Sequence, residues 1–155
     1  MVSLLEEIQS APKILGPGEG YSYSMGTEHI TVKLGSTDTN GQFAFAEVHI
    51  PEPGFGPPYH VHTQEDEMFV VLEGELILIV DGMRHVVSEG GIAYGPRNVP
   101  HRFESGPNGV RFNIMVTGSN FERFHARYTQ AFERGDMASI PAIAADHGIS
   151  FVQEN

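Results

Sequence analysis

A chain of 155 residues, 40% of them hydrophobic, has the size for one domain with its own core and too much apolar content for a disordered chain. A formal charge of −11 argues against nucleic acid and anionic membrane surfaces as partners, and the absence of cysteine removes disulfides, thiolate metal sites and cysteine nucleophiles. No apolar run approaches the roughly 20 residues of a membrane span. Glu6 and Glu7 stand where a secretory leader would carry positive charge, so a cytoplasmic location is expected.

Residues 1–20 read as a lead-in that ends in the turn-rich Gly16-Pro17-Gly18-Glu19-Gly20. From 21 to 116 the chain is a succession of short apolar or alternating runs cut by Gly, Pro, Asn and Asp. His29–Leu34, Phe43–Ile50, Glu67–Leu72, Glu75–Val80, Met83–Val87 and Val110–Val116 are the clearest. Such spacing predicts an all-β sandwich or barrel. Asp81-Gly82 between two apolar runs predicts a two-residue hairpin. In that register Leu76, Leu78, Val80, Met83, His85 and Val87 share one face, while Ile77, Ile79 and Val86 make the other face apolar too. A sheet apolar on both faces needs cover on both, and a homodimer is the expectation.

Residues 117–155 change period. Ser119-Asn120-Phe121-Glu122 reads as a capping box, and Phe121, Phe124, His125, Tyr128 and Phe132 then fall on one helical face, with Gly135 as the stop. A second short helix is expected over 141–146, ended by Gly148. This helical extension either packs on the barrel or lids its mouth.

His60 and His62, at i and i+2 on an extended segment, point to the same face. Glu67 would face away on one straight strand, so Thr63-Gln64-Glu65-Asp66 must turn the chain and let Glu67 begin a neighbouring strand; Glu65 and Asp66 read as solvated turn acids. Gly54, Gly56, Pro57 and Pro58 shape the approach to His60, and Gly74 closes the strand after Glu67. Further on, His101 and Phe103 share a face while Arg102 and Glu104 share the other. The charged pair belongs outside, which turns His101 inward. Neutral imidazoles with one carboxylate predict a buried cation that keeps open coordination positions. His29, His85, His125 and His147 read as surface or core histidines.

Gly54 through His60, His62 and Glu67 to Gly74, then Gly90, Pro96 and His101, resemble the two signatures of the cupin superfamily. Asn98 stands where the family usually has Gly and Ser105 where it often has Asn; Asn tolerates a left-handed backbone, and Ser105 is not a ligand position. The resemblance implies a double-stranded β-helix, or jelly-roll barrel, over 21–116. It also implies one divalent transition metal per subunit (Fe, Mn, Ni, Co or Zn) held by His60, His62, Glu67 and His101. The stretches 56–62, 65–74, 100–103 and 121–124, and the later His147-Gly148-Ile149, are similar to single-domain quercetinase-like cupins. That narrower resemblance implies a dioxygenase in which a flavonol or another small enolic aromatic binds the metal and is cleaved by O2, with Glu67 as both ligand and proton acceptor. Burial would raise the pKa of Glu67 toward neutrality while metal charge pulls the other way. A non-catalytic metal-containing binding protein and a metal-dependent isomerase or lyase are the alternatives. A polar wall built from Glu47, His49, Arg111 and Asn113 would favour the latter; Phe-rich walls would favour an aromatic substrate. Phe45, Glu47, His49, Tyr59, Phe69, Phe103 and Asn113 are the candidate pocket residues.

Overall fold

A computed structural model describes residues 11–154. The first half of the expected lead-in lies outside these residues; 11–20 are irregular with one turn. Nine strands follow among the described residues: β1 (Tyr21–Met25), β2 (Glu28–Leu34), β3 (Phe43–Ile50), β4 (His60–His62), β5 (Glu67–Val80), β6 (Met83–Ser88), β7 (Ile92–Gly95), β8 (His101–Thr117) and β9 (Ile149–Phe151). Helices α1 (Phe121–Glu133) and α2 (Ile140–Asp146) sit between β8 and β9, with a 3-10 turn over Met137–Ser139. Every strand pairing is antiparallel, and β8 is the hub, bonded to β3, β4 and β5. This is a sheet wrapped on itself around one core, as the strand spacing predicts.

The two runs flanking Gly74 are one strand. Instead of closing the first run, Gly74 lets β5 continue through register shifts at Val71/Glu73 and Gly74/Leu76. Its φ of +76° favours glycine, and a methyl there would overlap the Gly109 carbonyl of β8. The bulged stretch bends both long strands. In β8 the buried positions are His101, Phe103 and Ser105 before it, and Val110, Phe112, Ile114 and Val116 after it, a switch of parity. The Asp81-Gly82 hairpin forms as predicted, with both residues at positive φ and Val80 opposite Met83.

The core is built on Phe69, Phe103 and Phe112, whose rings meet at centroid distances of 5.5–5.8 Å. Ile30, Val32, Ala44, Ala46, Val48 and Ile50 face them from β2 and β3. The opposite face of β5 is covered within the chain, because Tyr59 packs on Ile77 and Ile79. The expectation of a second subunit therefore rests on β6 and β7 alone, where Met83, Val86, Ile92 and Tyr94 are exposed.

Helix α1 forms where expected but without the capping box. Asn120 is the N-cap and makes no side-chain cap bond. The Glu122 carboxylate instead accepts the Ser36 amide from the loop after β2. The tail is also not purely helical: β9 returns to the barrel and pairs with β4, setting His60 opposite Phe151 and His62 opposite Ile149.

Candidate metal centre

Each residue of the cluster is placed by its backbone. Gly56 passes so close to β8 that a methyl would overlap the Phe103 carbonyl, which brings Pro57, Pro58 and then β4 over the core. Ser105 anchors the same approach, its hydroxyl accepting the Phe55 amide and donating to the Glu52 carbonyl. On β4 His60 and His62 face inward, and His60 is directly opposite His101 on β8. The turn over 63–66 lets Glu67 open β5, between Gly95 of β7 and Val116 of β8. Asn98, at φ +66°, holds the left-handed position and donates its amide to the His62 carbonyl.

The result is a buried group of His60, His62, Glu67 and His101, whose ligand atoms all lie within 4.8 Å of one another. The Nδ1–H of each imidazole is committed outward: His60 to the Pro58 carbonyl at 2.7 Å, His101 to the Val99 carbonyl at 2.9 Å, and His62 to the Glu65 carboxylate at 2.8 Å. That fixes the tautomers and turns all three Nε2 lone pairs on one point. His60 Nε2 lies 3.1 Å from His62 Nε2, His101 Nε2 lies 2.7 Å from Glu67 Oε2, and His62 Nε2 lies 3.5 Å from Glu67 Oε1. With every Nδ1 already donating, these contacts demand an extra proton or a cation at the centre. Two donors about 2.1 Å from one ion and at right angles to each other sit about 3 Å apart. The residues therefore fit a transition metal in both chemistry and spacing.

Burial opposes charge on His60 and holds its imidazole down at about 4, with its imidazole neighbours adding to the effect. For His62 and His101 burial also lowers the pKa, but Glu67, joined by Glu65 at His62, more than reverses it. Burial alone would lift the Glu67 carboxyl; the three imidazoles outweigh it and hold the group well below the ordinary carboxylate range. The expected rise of Glu67 toward neutrality is thus replaced by a net fall.

Glu65 was not visible as part of this arrangement. Far from a solvated turn acid, it is 4% exposed and orients His62, while its other oxygen is buried without a partner among the described residues. Asp66 does face outward and grips Arg97. The signal for Glu65 was its parity with Glu67, hidden because the turn breaks strand periodicity.

A cavity of about 270 Å³ opens from the cluster. Phe103, Phe112 and Phe55 wall one part and the α1 side chains Phe121, Phe124 and Phe132 another, so the helix's aromatic face lines the cavity. Of the candidate pocket residues, Phe103 is in the wall. Phe45, Glu47, His49 and Asn113 are not: Ala44, Ala46 and Val48 on β3, and Phe112 and Ile114 on β8, point inward, which turns the residues between them to the outer face. There Arg111 bonds Glu47 at 2.8 Å and His49 lies beside His29. Tyr59 and Phe69 are packing residues outside the cavity wall. His125, expected to be a bland histidine, lines the cavity; burial pushes it down to about 4, and the Tyr23 phenol meets its Nδ1 at 2.5 Å. Glu28, which the sequence does not single out, lines it too.

Residues 47–116 match the cupin domain family. Quercetin 2,3-dioxygenase of Bacillus subtilis is 33% identical over 97 residues, 61% of this chain and 28% of that protein. A dimethylsulfoniopropionate lyase of Ruegeria pomeroyi is 34% identical over 79 residues, 48% of this chain and 51% of that protein. The chain thus aligns with about a quarter to a half of these curated relatives. Among solved structures, an RmlC-like cupin from Shewanella frigidimarina superposes with a TM-score of 0.60 at 18% identity, over 72% of this chain and 96% of its own, a likeness of fold. Wrapped antiparallel strands, a buried cluster of three histidines and one glutamate, and these matches agree: residues 47–116 of this chain carry a cupin domain.

Proposed function

We propose that this protein is a metal-dependent cupin oxygenase acting on a small enolic aromatic molecule, with His60, His62, Glu67 and His101 as the metal ligands. The observation that carries the reading is the pairing of an inward-facing cluster of three imidazoles and one carboxylate with an aromatic cavity that opens on it. The polar set Glu47, His49, Arg111 and Asn113, which a sugar-like substrate would need, lies on the outer face. The relative named quercetin 2,3-dioxygenase supports the same direction.

A divalent transition metal bound there supplies Lewis acidity and, if redox-active, a path for electrons between an enol and O2. The chain's own groups do the rest. The phenyl walls hold an aromatic ring and exclude water from it. Glu67 Oε2 and His101 Nε2 both face the point where the metal would sit, and Oε1 has no contact nearer than 3.5 Å to His62, so Oε1 is the atom that would take up the enolic proton, as a weak base because the imidazoles hold its carboxyl low. Tyr23 has its phenol pKa pushed up by burial and by Glu28, so it stays protonated and donates to His125 Nδ1. That leaves Nε2–H of the neutral His125 as a donor to a bound ligand.

The test is oxygen consumption with quercetin and a panel of other enolic aromatics, on protein stripped and reloaded in turn with Mn, Fe, Co, Ni and Zn. Uptake that needs both metal and substrate and disappears in His62→Ala is the expected result. Glu67→Gln should lose turnover more completely than it loses substrate binding; equal activity would end the proton-accepting role. A second reading, a lyase using the same cavity, draws on the Ruegeria relative. It predicts substrate breakdown that continues under nitrogen.

A further inference from the structure

Glu28 opens β2 and shares its face with Ile30 and Val32, both in the core. Its carboxyl therefore points inward, where it lines the same cavity as the cluster. Among the described residues it has no ion pair and no hydrogen bond, unlike Glu65, which holds His62, and Glu67, which sits in the cluster against His101. No Lys or Arg lines the cavity among those residues. Its surroundings are aromatic: Phe55 reaches Gly26 in the turn before β2, and Tyr128 of α1 is close enough for the Glu28 charge to help burial push its phenol up. Glu28 is half-buried at the cavity wall, and the burial of its carboxyl pushes it up to about 7.

What is missing from this arrangement is a positive charge. Phenyl and phenol faces attract a cation through their ring quadrupoles, and a carboxylate beside them completes an aromatic cage. We propose that Glu28, with Tyr128 and the neighbouring phenyl rings, is a binding subsite for a cationic amine or onium group, so that the preferred ligand has an aromatic body and a positively charged end. The overall charge of −11 favours arrival of such a ligand. The proposal names a substrate class for the site described above, and only its metal end rests on the oxygenase reading.

The experiment measures affinity by calorimetry on Zn-loaded protein in mildly alkaline buffer, using two matched pairs: benzylamine against benzyl alcohol, and phenethylamine against phenethyl alcohol. Zn keeps the site free of redox turnover, and the two chain lengths sample the reach to Glu28. An amine that binds at least about tenfold more tightly than its alcohol is expected for one pair. Glu28→Gln, checked for an unchanged melting temperature, should bring that ratio close to one and leave the alcohol's affinity as it was. The wild-type ratio stands as a test by itself if the variant does not fold. Equal affinities, or a tighter alcohol, would make this a cavity for neutral aromatics and overturn the proposal. An amine preference that survives Glu28→Gln would overturn it as well, since the amine would then be reading the metal. A protein that prefers amines yet consumes no O2 would retire the oxygenase reading and leave the cation subsite standing; O2 uptake with neutral enols and no amine preference would do the reverse.

Discussion

Removing the Glu65 carboxylate tests whether the cluster is oriented from outside. Glu65 and His62 are 4% and 7% exposed and meet at 2.8 Å, so the bond is shielded from water and charge-assisted. A hydrogen bond to a charged group contributes about 1.5–3 kcal/mol. Part of that is lost whether or not metal is bound, because Glu65→Ala strands the buried Nδ1–H in both states. The remainder appears in metal affinity, since a cation on Nε2 makes Nδ1–H a stronger donor. Outer partners of this kind are worth about 10–100-fold in affinity, or about 1.4–2.7 kcal/mol. Zn affinity of Glu65→Ala, measured by competition against a chromophoric chelator near neutral pH, should fall by that factor. Glu65→Gln keeps an acceptor without the charge and should fall between wild type and Ala. Asp66→Ala, one residue away but paired with the exposed Arg97, is the control and should stay within about threefold, as expected for a surface pair. Ala within twofold of wild type, or Asp66→Ala matching it, would refute the reasoning.

Gly56→Ala places a methyl on the Phe103 carbonyl and should cost about 3 kcal/mol or more in urea denaturation; a loss under about 1 kcal/mol would mean that the approach loop is free to move. His125 is held neutral down to about 4, whereas in the unfolded chain it titrates near 6.5. Below pH 6.5 the unfolded state takes up a proton that the fold refuses, so metal-free stability should fall between 6.5 and 4, by at most about 3 kcal/mol because His125 also faces the cavity. His125→Gln should flatten that decline in urea midpoints, and parallel curves would count against it. Deleting residues 148–155 removes β9, which pairs with all three residues of β4. Amide exchange at 60–62 should accelerate and Zn affinity should drop, while an unchanged affinity would show that β8 and the Asn98 amide suffice to hold β4.

The cluster was legible because its geometry is local. His60 and His62 share a face by strand parity, and the charged flanks of His101 turn it inward. The pocket wall was not legible for the same reason that strands were easy to see. In Phe43–Ile50 one face carries Phe43 and Phe45 beside Glu47 and His49, and the two large rings hid that the smaller, wholly apolar set Ala44, Ala46, Val48 and Ile50 is the one that faces the core. Glu122 fits a capping box in sequence, but the Ser36 amide, 86 residues earlier, claims its carboxylate. Gly74 looked like an end because a positive φ ends most strands; the close Gly109 carbonyl across the sheet makes it a bulge instead. β9 has three residues, too few for any period to show.

The division between the legible and the hidden parts has a chemical meaning. The stretch that matches the cupin family, 47–116, contains all four residues of the cluster and Glu65. It excludes Glu28, Tyr23, the α1 face from Phe121 to Phe132, and β9. Those excluded segments supply much of the cavity wall and its unpaired carboxyl. A shared cluster transmits the capacity to hold a cation, which suits many reactions. Part of the wall around that cluster, from 25–28, α1 and β9, lies outside the family match, while Phe55, Phe103 and Phe112 lie inside it. Substitutions that redirect this protein to a new ligand should therefore fall at 23–28 and along the inner face of α1, where the cavity can change while the cluster keeps its bonds.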